Sequence, residues 1–115
     1  MPANEGVLGT FSFKGEHAHT MDHPPVLRQG AVKASSGIYP AGLVLMRDAQ
    51  DKLVPWDGSA TPAGVCDVPC DTATSASCIY LAHGSVRAAA LTKTGGATLT
   101  PADLRSLEKA TIYAL

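Results

Sequence analysis

The stretch GLVLMRDAQDKLVPWDG, residues 42–58, carries the pattern on which the fold turns. Two short apolar runs, Gly42–Arg47 and Lys52–Trp56, flank DAQD. Aspartate side chains bond to their own nearby backbone and favour a tight reversal, so the pattern reads as a β-hairpin. Pro55 has no amide hydrogen to give to a ladder, which places the second strand at a sheet edge or ends it before a WDG turn at 56–58. Working outward, Ala63–Val68 and Ser77–Ala82 supply two more strands, and His83-Gly84 is expected to turn the latter into Ser85–Ala88. Gly95-Gly96, after Lys93-Thr94, reads as a turn at a hairpin or at the approach to a helix. The period then changes. Thr100 suits an N-cap, Pro101 the first helical position, and Asp103 the positive end of a helix dipole. Leu104 and Leu107 fall on one face of a short helix ending near Ala110, after which Ile112, Tyr113 and Leu115 return as a closing strand or pack down. Residues 31–115 therefore read as one compact, mainly β body with a short C-terminal helix, without internal repeats or low-complexity tracts.

Residues 1–30 read differently. They hold three of the four histidines, His17, His19 and His23, and the Pro24-Pro25 pair, with no sustained periodicity. This is the composition of an extended N-terminal arm. Yet both phenylalanines of the chain, Phe11 and Phe13, alternate with Thr10 and Ser12 in GVLGTFSF at 6–13, so one face of an extended segment is apolar. Burial of each Phe is worth roughly 1.5–3 kcal/mol. Together with Val7 or Leu8 that is enough to help fix a short strand against a sheet edge, and the body offers no obvious partner strand.

A chain of 115 residues has room for one domain, which buries roughly two-thirds of its unfolded surface. Nine basic and ten acidic residues are scattered to a net charge of -1, with no basic stripe of the kind that neutralises phosphates, so nucleic acid is not an expected partner. The N-terminus lacks the build of a signal peptide, and the most apolar run, Ala41–Met46, is too short to span a bilayer. Synthesis in the cytoplasm as a soluble chain, without a membrane partner, is the expectation. Three cysteines are too few for a disulfide scaffold.

Candidate chemistry is sparse. His17, His19, Asp22 and His23 resemble the H-x-H-x-D-H zinc signature with a spacing one residue too long, on an arm without supporting ligands; no metal site is expected there. Cys66, Cys70 and Cys78, even with His83, do not have a usual zinc spacing. Cys66, Val68 and Cys70 would share one strand face while Asp67 and Pro69 take the other, so core packing of the thiols is expected. Asp48, Asp51, Asp57, Asp67 and Asp71 are expected mostly to cap turn amides. The chain has no G-x-S-x-G elbow, no P-loop and no G-x-G-x-x-G. Neither enzymatic activity nor a cofactor is expected.

The segment from KLVPWDG through AGV (Lys52–Val65), followed by TSASCIYLAHGSVRAAAL (Thr74–Leu91), resembles the lambda-type phage head decoration proteins. The similarity extends upstream to AHT at 18–20 and downstream to the closing IYAL, and its strongest element is the Lys52, Leu53, Val54, Trp56, Asp57, Gly58 strand and turn. The stretch after Leu91 and the three cysteines stand outside it. The resemblance implies a small β-tulip-like body that forms a homotrimer on the outer surface of an expanded capsid, at threefold and quasi-threefold positions. It also implies an arm that adds a strand to the major capsid protein, stapling the shell against internal pressure. Val7, Leu8, Thr10, Phe11, Phe13, His17, His19 and Thr20 are the residues expected to carry that docking. A small metal-binding β domain using His17, His19 and His23, or another small virion component such as a tail or adaptor protein, is the alternative.

Overall fold

The computed structural model describes residues 18–21 and 24–115. It is built of β1 (Val26–Ala31), β2 (Ile38–Tyr39), β3 (Val44–Arg47), β4 (Leu53–Pro55), β5 (Gly64–Cys66), β6 (Cys70–Asp71), β7 (Ser77–Val86), α1 (Pro101–Lys109) and β8 (Ile112–Ala114). The chain is thus mainly β with one short C-terminal helix. The main sheet has the order β1-β7-β5-β3-β4, with β8 pairing β7 as well, and β2 and β6 form a separate two-stranded ladder.

The hairpin read from residues 42–58 is present as β3 and β4, with Leu45 opposite Pro55 and Arg47 opposite Leu53. Asp48 holds its turn, its Oδ1 accepting the N–H groups of Gln50 and Lys52 at 2.9 Å each. Pro55 is the last residue of the terminal strand in the sheet order, where a missing donor leaves no gap in the ladder. That edge is not left open along its length: Val32, just past β1, bridges Leu53 in parallel. The five-strand order therefore returns to its first member, and the sheet curls into a small barrel-like body.

Side chains alternate across this curl and divide the core in two. Leu43, Leu45, Leu53, Cys66, Cys78 and Tyr80 pack inside it with Val32, Tyr39 and Cys70. Their neighbours Val44, Trp56, Val65 and Leu81 point the other way, to a second core shared with Val86, Leu91, Leu107 and Ile112. The second core is roofed by α1 and β8. The helix starts as the sequence dictates: the Thr100 side chain accepts from Asp103 N–H, the Asp103 carboxylate accepts from Thr100 N–H, Pro101 opens the first turn, and Leu107 is buried. Beyond it, Ile112, Tyr113 and Ala114 form a strand parallel to β7.

Two expectations are corrected. His83-Gly84 makes no turn; β7 runs unbroken from Ser77 to Val86. Gly84, at φ 134°, lets the strand pass Pro25 closely, where a Cβ would lie 3.1 Å from the proline Cα, and change partners from β1 and β5 to β8. The strand expected over Ala63–Val68 is shorter, β5 ending at Cys66. β1, which the sequence reading did not single out as a strand, pairs β7 from Val26↔His83 to Ala31↔Ser77.

Candidate functional site

At the C-terminal end of β7 the backbone alternates between two edges. Gly84 N–H donates to Thr111 O and Val86 O accepts from Leu115 N–H, which is the β8 side. The intervening residues face residues 18–20: Thr20 N–H donates to Ser85 O at 2.9 Å and Arg87 N–H to Ala18 O at 3.0 Å. His19 and Val86 thereby form an antiparallel bridge. Ala18 is fully buried in the second core, and the hydroxyls of Thr20 and Ser85 are bonded to each other. So His19 and Thr20, expected in the docking arm, are tied to the body. Because this segment runs antiparallel to β7, Ala18 lies at the end of β7 where Ala88 N–H bonds Leu115 O.

The fixing group is Asp67, 1% exposed, directly after β5. Its N–H donates to Ile79 O on β7 at 2.9 Å and its carbonyl accepts Ala18 N–H at 3.1 Å. Its carboxylate oxygen Oδ1 accepts His19 N–H at 3.1 Å and stands 2.7 Å from His19 Nδ1. Asp67 thus holds two successive residues by main chain and side chain at once. Its sequence context is that of the turn-capping carboxylates, a role that Asp48, Asp57 and Asp71 do fill, bonding the N–H groups of Gln50, Ser59 and Ala73. Asp67 differs because its partner stands 48 positions away, where local spacing carries no signal.

The strand-and-turn of residues 52–58 joins the two cores. Trp56 is fully buried; its N–H donates to Val44 O, its carbonyl accepts Thr94 N–H, and its indole Nε1 donates to Ala60 O at 2.6 Å. Leu53 is buried, Val54 half-buried, and Lys52 exposed. Asp57 bonds the Ser59 hydroxyl and N–H, which lowers its carboxyl below the usual range. Gly58 faces the Lys93 ammonium and the Asp103 carboxylate, a pair 2.7 Å apart that closes over the start of α1. The Lys93 bond, followed by that from Thr100 N–H, lowers the Asp103 carboxyl too. This stretch builds the body rather than presenting a reactive surface.

Cys66, Cys70 and Cys78 are free thiols, all buried in the inner core. The Cys66 thiol is pushed up by its hydrogen bond with Cys78 and by burial, and the Cys70 thiol is pushed up chiefly by burial. Both are held in the protonated, unreactive form at neutral pH. His83 is exposed on β7 opposite Val26. Among the described residues no group of three or more His, Cys, Asp and Glu could hold a metal ion. Val7, Leu8, Thr10, Phe11, Phe13, His17, Asp22 and His23 lie outside the described residues. Among those described, no helix is long and apolar enough to cross a membrane.

Comparison with curated proteins gives no match. The family model of bacteriophage lambda head decoration protein D matches residues 16–112, a span that runs from the Asp67-held junction through the hairpin, the curled sheet and the capped helix to the start of β8. Since that match covers most of the chain, the protein belongs to the family of bacteriophage lambda head decoration protein D.

Proposed function

We propose that the chain is a homotrimeric cement protein. It binds the outer surface of an expanded phage capsid at threefold and quasi-threefold positions and stabilises the shell against internal pressure. The residues before Ala18 act as the docking arm, Val7, Leu8, Thr10, Phe11 and Phe13 adding a strand to the major capsid protein, with His17 at its base. His19 and Thr20 join that arm to the body. Strand addition supplies backbone hydrogen bonds, and alternate side chains such as Phe11 and Phe13 supply specificity. Ordering a segment on binding costs entropy, which a trimer offsets by presenting three arms to one site. The family match over residues 16–112 carries this reading. What supports the arm in particular is the strand-like alternation of GVLGTFSF immediately upstream of a buried, hydrogen-bonded junction at Ala18.

Light scattering on the eluting protein checks the trimer, and sedimentation with expanded empty capsids checks docking. Deleting residues 1–14 is expected to leave a folded trimer that no longer pellets with capsids. A monomer, or undiminished pelleting of the truncated chain, would overturn the corresponding part of the reading.

A further inference from the structure

We infer that Asp67 is a positioning residue for docking: by holding Ala18 and His19 it fixes the point at which the N-terminal arm leaves the body. The inference rests on the docking-arm reading above and adds to it a residue that cannot itself touch the capsid. Asp67 is 1% exposed, whereas an arm residue presented to a partner must be accessible. Its N–H is committed to Ile79 on β7, so the residue is locked to the longest strand of the sheet. From there its carbonyl takes Ala18 N–H, and its carboxylate takes both His19 N–H at 3.1 Å and His19 Nδ1 at 2.7 Å. Two further main-chain bonds, from Thr20 N–H to Ser85 O and from Arg87 N–H to Ala18 O, complete the attachment.

The geometry has a consequence for reach. With the clamp closed, the arm is rooted at Ala18, at the end of β7. Without the carboxylate, residues 18–20 keep only their main-chain bonds and open more often; each time they detach, the next fixed point is Pro24-Pro25 leading into β1, which lengthens the tether by six residues, up to about 20 Å of chain. A root displaced that far presents the arm less often at its site on the shell. In a trimer the losses multiply, so a twofold loss for each arm becomes about eightfold for three.

The test is the full-length Asp67→Ala chain beside Asp67→Asn, which keeps an acceptor for His19 N–H, and His19→Ala, which removes only the ring. Amide exchange in the free protein is expected to accelerate at Ala18, His19 and Thr20 in Asp67→Ala. The β3–β4 hairpin should stay as protected as in the parent. Binding to expanded capsids should weaken by about eightfold or more, with Asp67→Asn recovering most of the loss and His19→Ala falling between. Accelerated exchange with undiminished capsid binding would overturn the inference, and so would unchanged exchange at 18–20. Should Asp67→Ala fail to fold, the same two readings on His19→Ala decide: faster exchange with weaker binding upholds the clamp, and either reading unchanged overturns it. The 1–14 deletion run in parallel separates the two levels, because undiminished binding of that variant sinks the docking-arm reading itself. Its loss of binding beside intact binding of Asp67→Ala sinks only the clamp.

Discussion

A Cβ placed on Gly64 would lie 2.5 Å from Cδ2 of Tyr80, so the two residues are in contact that only glycine permits. The opposite side of the same ring faces Gly30, where a Cβ would lie 2.9 Å from Cε1 and 2.7 Å from Leu53 Cδ1. Tyr80 thus sits between glycines on the two strands that flank β7, and the sheet curls around the ring. Arg47 tethers its far end, donating to the hydroxyl at 3.0 Å.

Replacing Gly64 by alanine is expected to cost about 2–3 kcal/mol, at the upper part of the range for overpacking. The added methyl would also meet the Leu81 carbonyl at 2.5 Å, and backbone cannot rotate away. Gly30→Ala meets only side chains and should cost about 1–2 kcal/mol. Urea titrations of the three proteins check the order. An unshifted midpoint for Gly64→Ala would remove the close-contact account of the curl.

Trp56 is the chain's single tryptophan, so its fluorescence reports the second core directly. Trp56→Ala is expected to cost about 3–5 kcal/mol, from lost burial and the cavity left behind. Trp56→Phe keeps most of the packing but leaves Ala60 O without the indole donor, for about 1–2 kcal/mol. Thermal unfolding followed by circular dichroism checks both. If Trp56→Phe proved as damaging as Trp56→Ala, the indole bond rather than packing would be the main contribution.

How much of this was legible in the sequence depended on the range of the interaction. The hairpin at 42–58 and the helix beginning after Thr100 are set by neighbours within four positions: Asp48 to Lys52, and Thr100 to Asp103. The continuity of β7 was not legible, because His83-Gly84 has turn chemistry and only the close approach of Pro25 shows why a glycine stands there. β1 was hidden for a related reason. Its residues are mostly exposed, so VLRQGA shows no alternation, and its pairing is supplied by β7 some fifty positions on. Asp67 reads locally as an outward residue beside the inward Cys66, and only the His19 contact reveals that it is buried.

The Asp103 carboxyl is held below its ordinary range by the Lys93 ammonium and the Thr100 N–H. A carboxyl lowered in the folded state stabilises it above the unfolded value of about 3.9 and loses that contribution as pH falls through the folded value. Stability of the parent should therefore drop on acidification below about pH 4. Asp103→Asn should be less stable at neutral pH and show a shallower fall across the same acid range. Lys93→Ala should reproduce part of this, because the Thr100 bond remains. Denaturant midpoints between pH 2.5 and 7, about the span over which an aspartate titrates, give the comparison, and parallel curves for parent and Asp103→Asn would contradict it.

The three thiols give a graded probe of local opening, because the thiolate is the reacting species and each sulfur must first reach solvent. Cys66 lies at the centre of the sheet, fully buried, with Sγ 3.1 Å from Val68 O. Cys70 is 7% exposed and belongs to β6, whose only strand partner among the described residues is the two-residue β2. A ladder of two residue pairs, even with Thr72 bonded to Gly37 and Ser36 beside it, opens at lower cost than the main sheet. With an aromatic disulfide reagent at neutral pH, Cys70 is expected to react first, through local opening of β2–β6. Cys66 and Cys78 should follow only at the rate set by opening of β5 and β7, and all three should react together once denaturant unfolds the chain. Uniform rates under native conditions would mean that the β2–β6 ladder opens only with the whole body, making the inner core one cooperative unit.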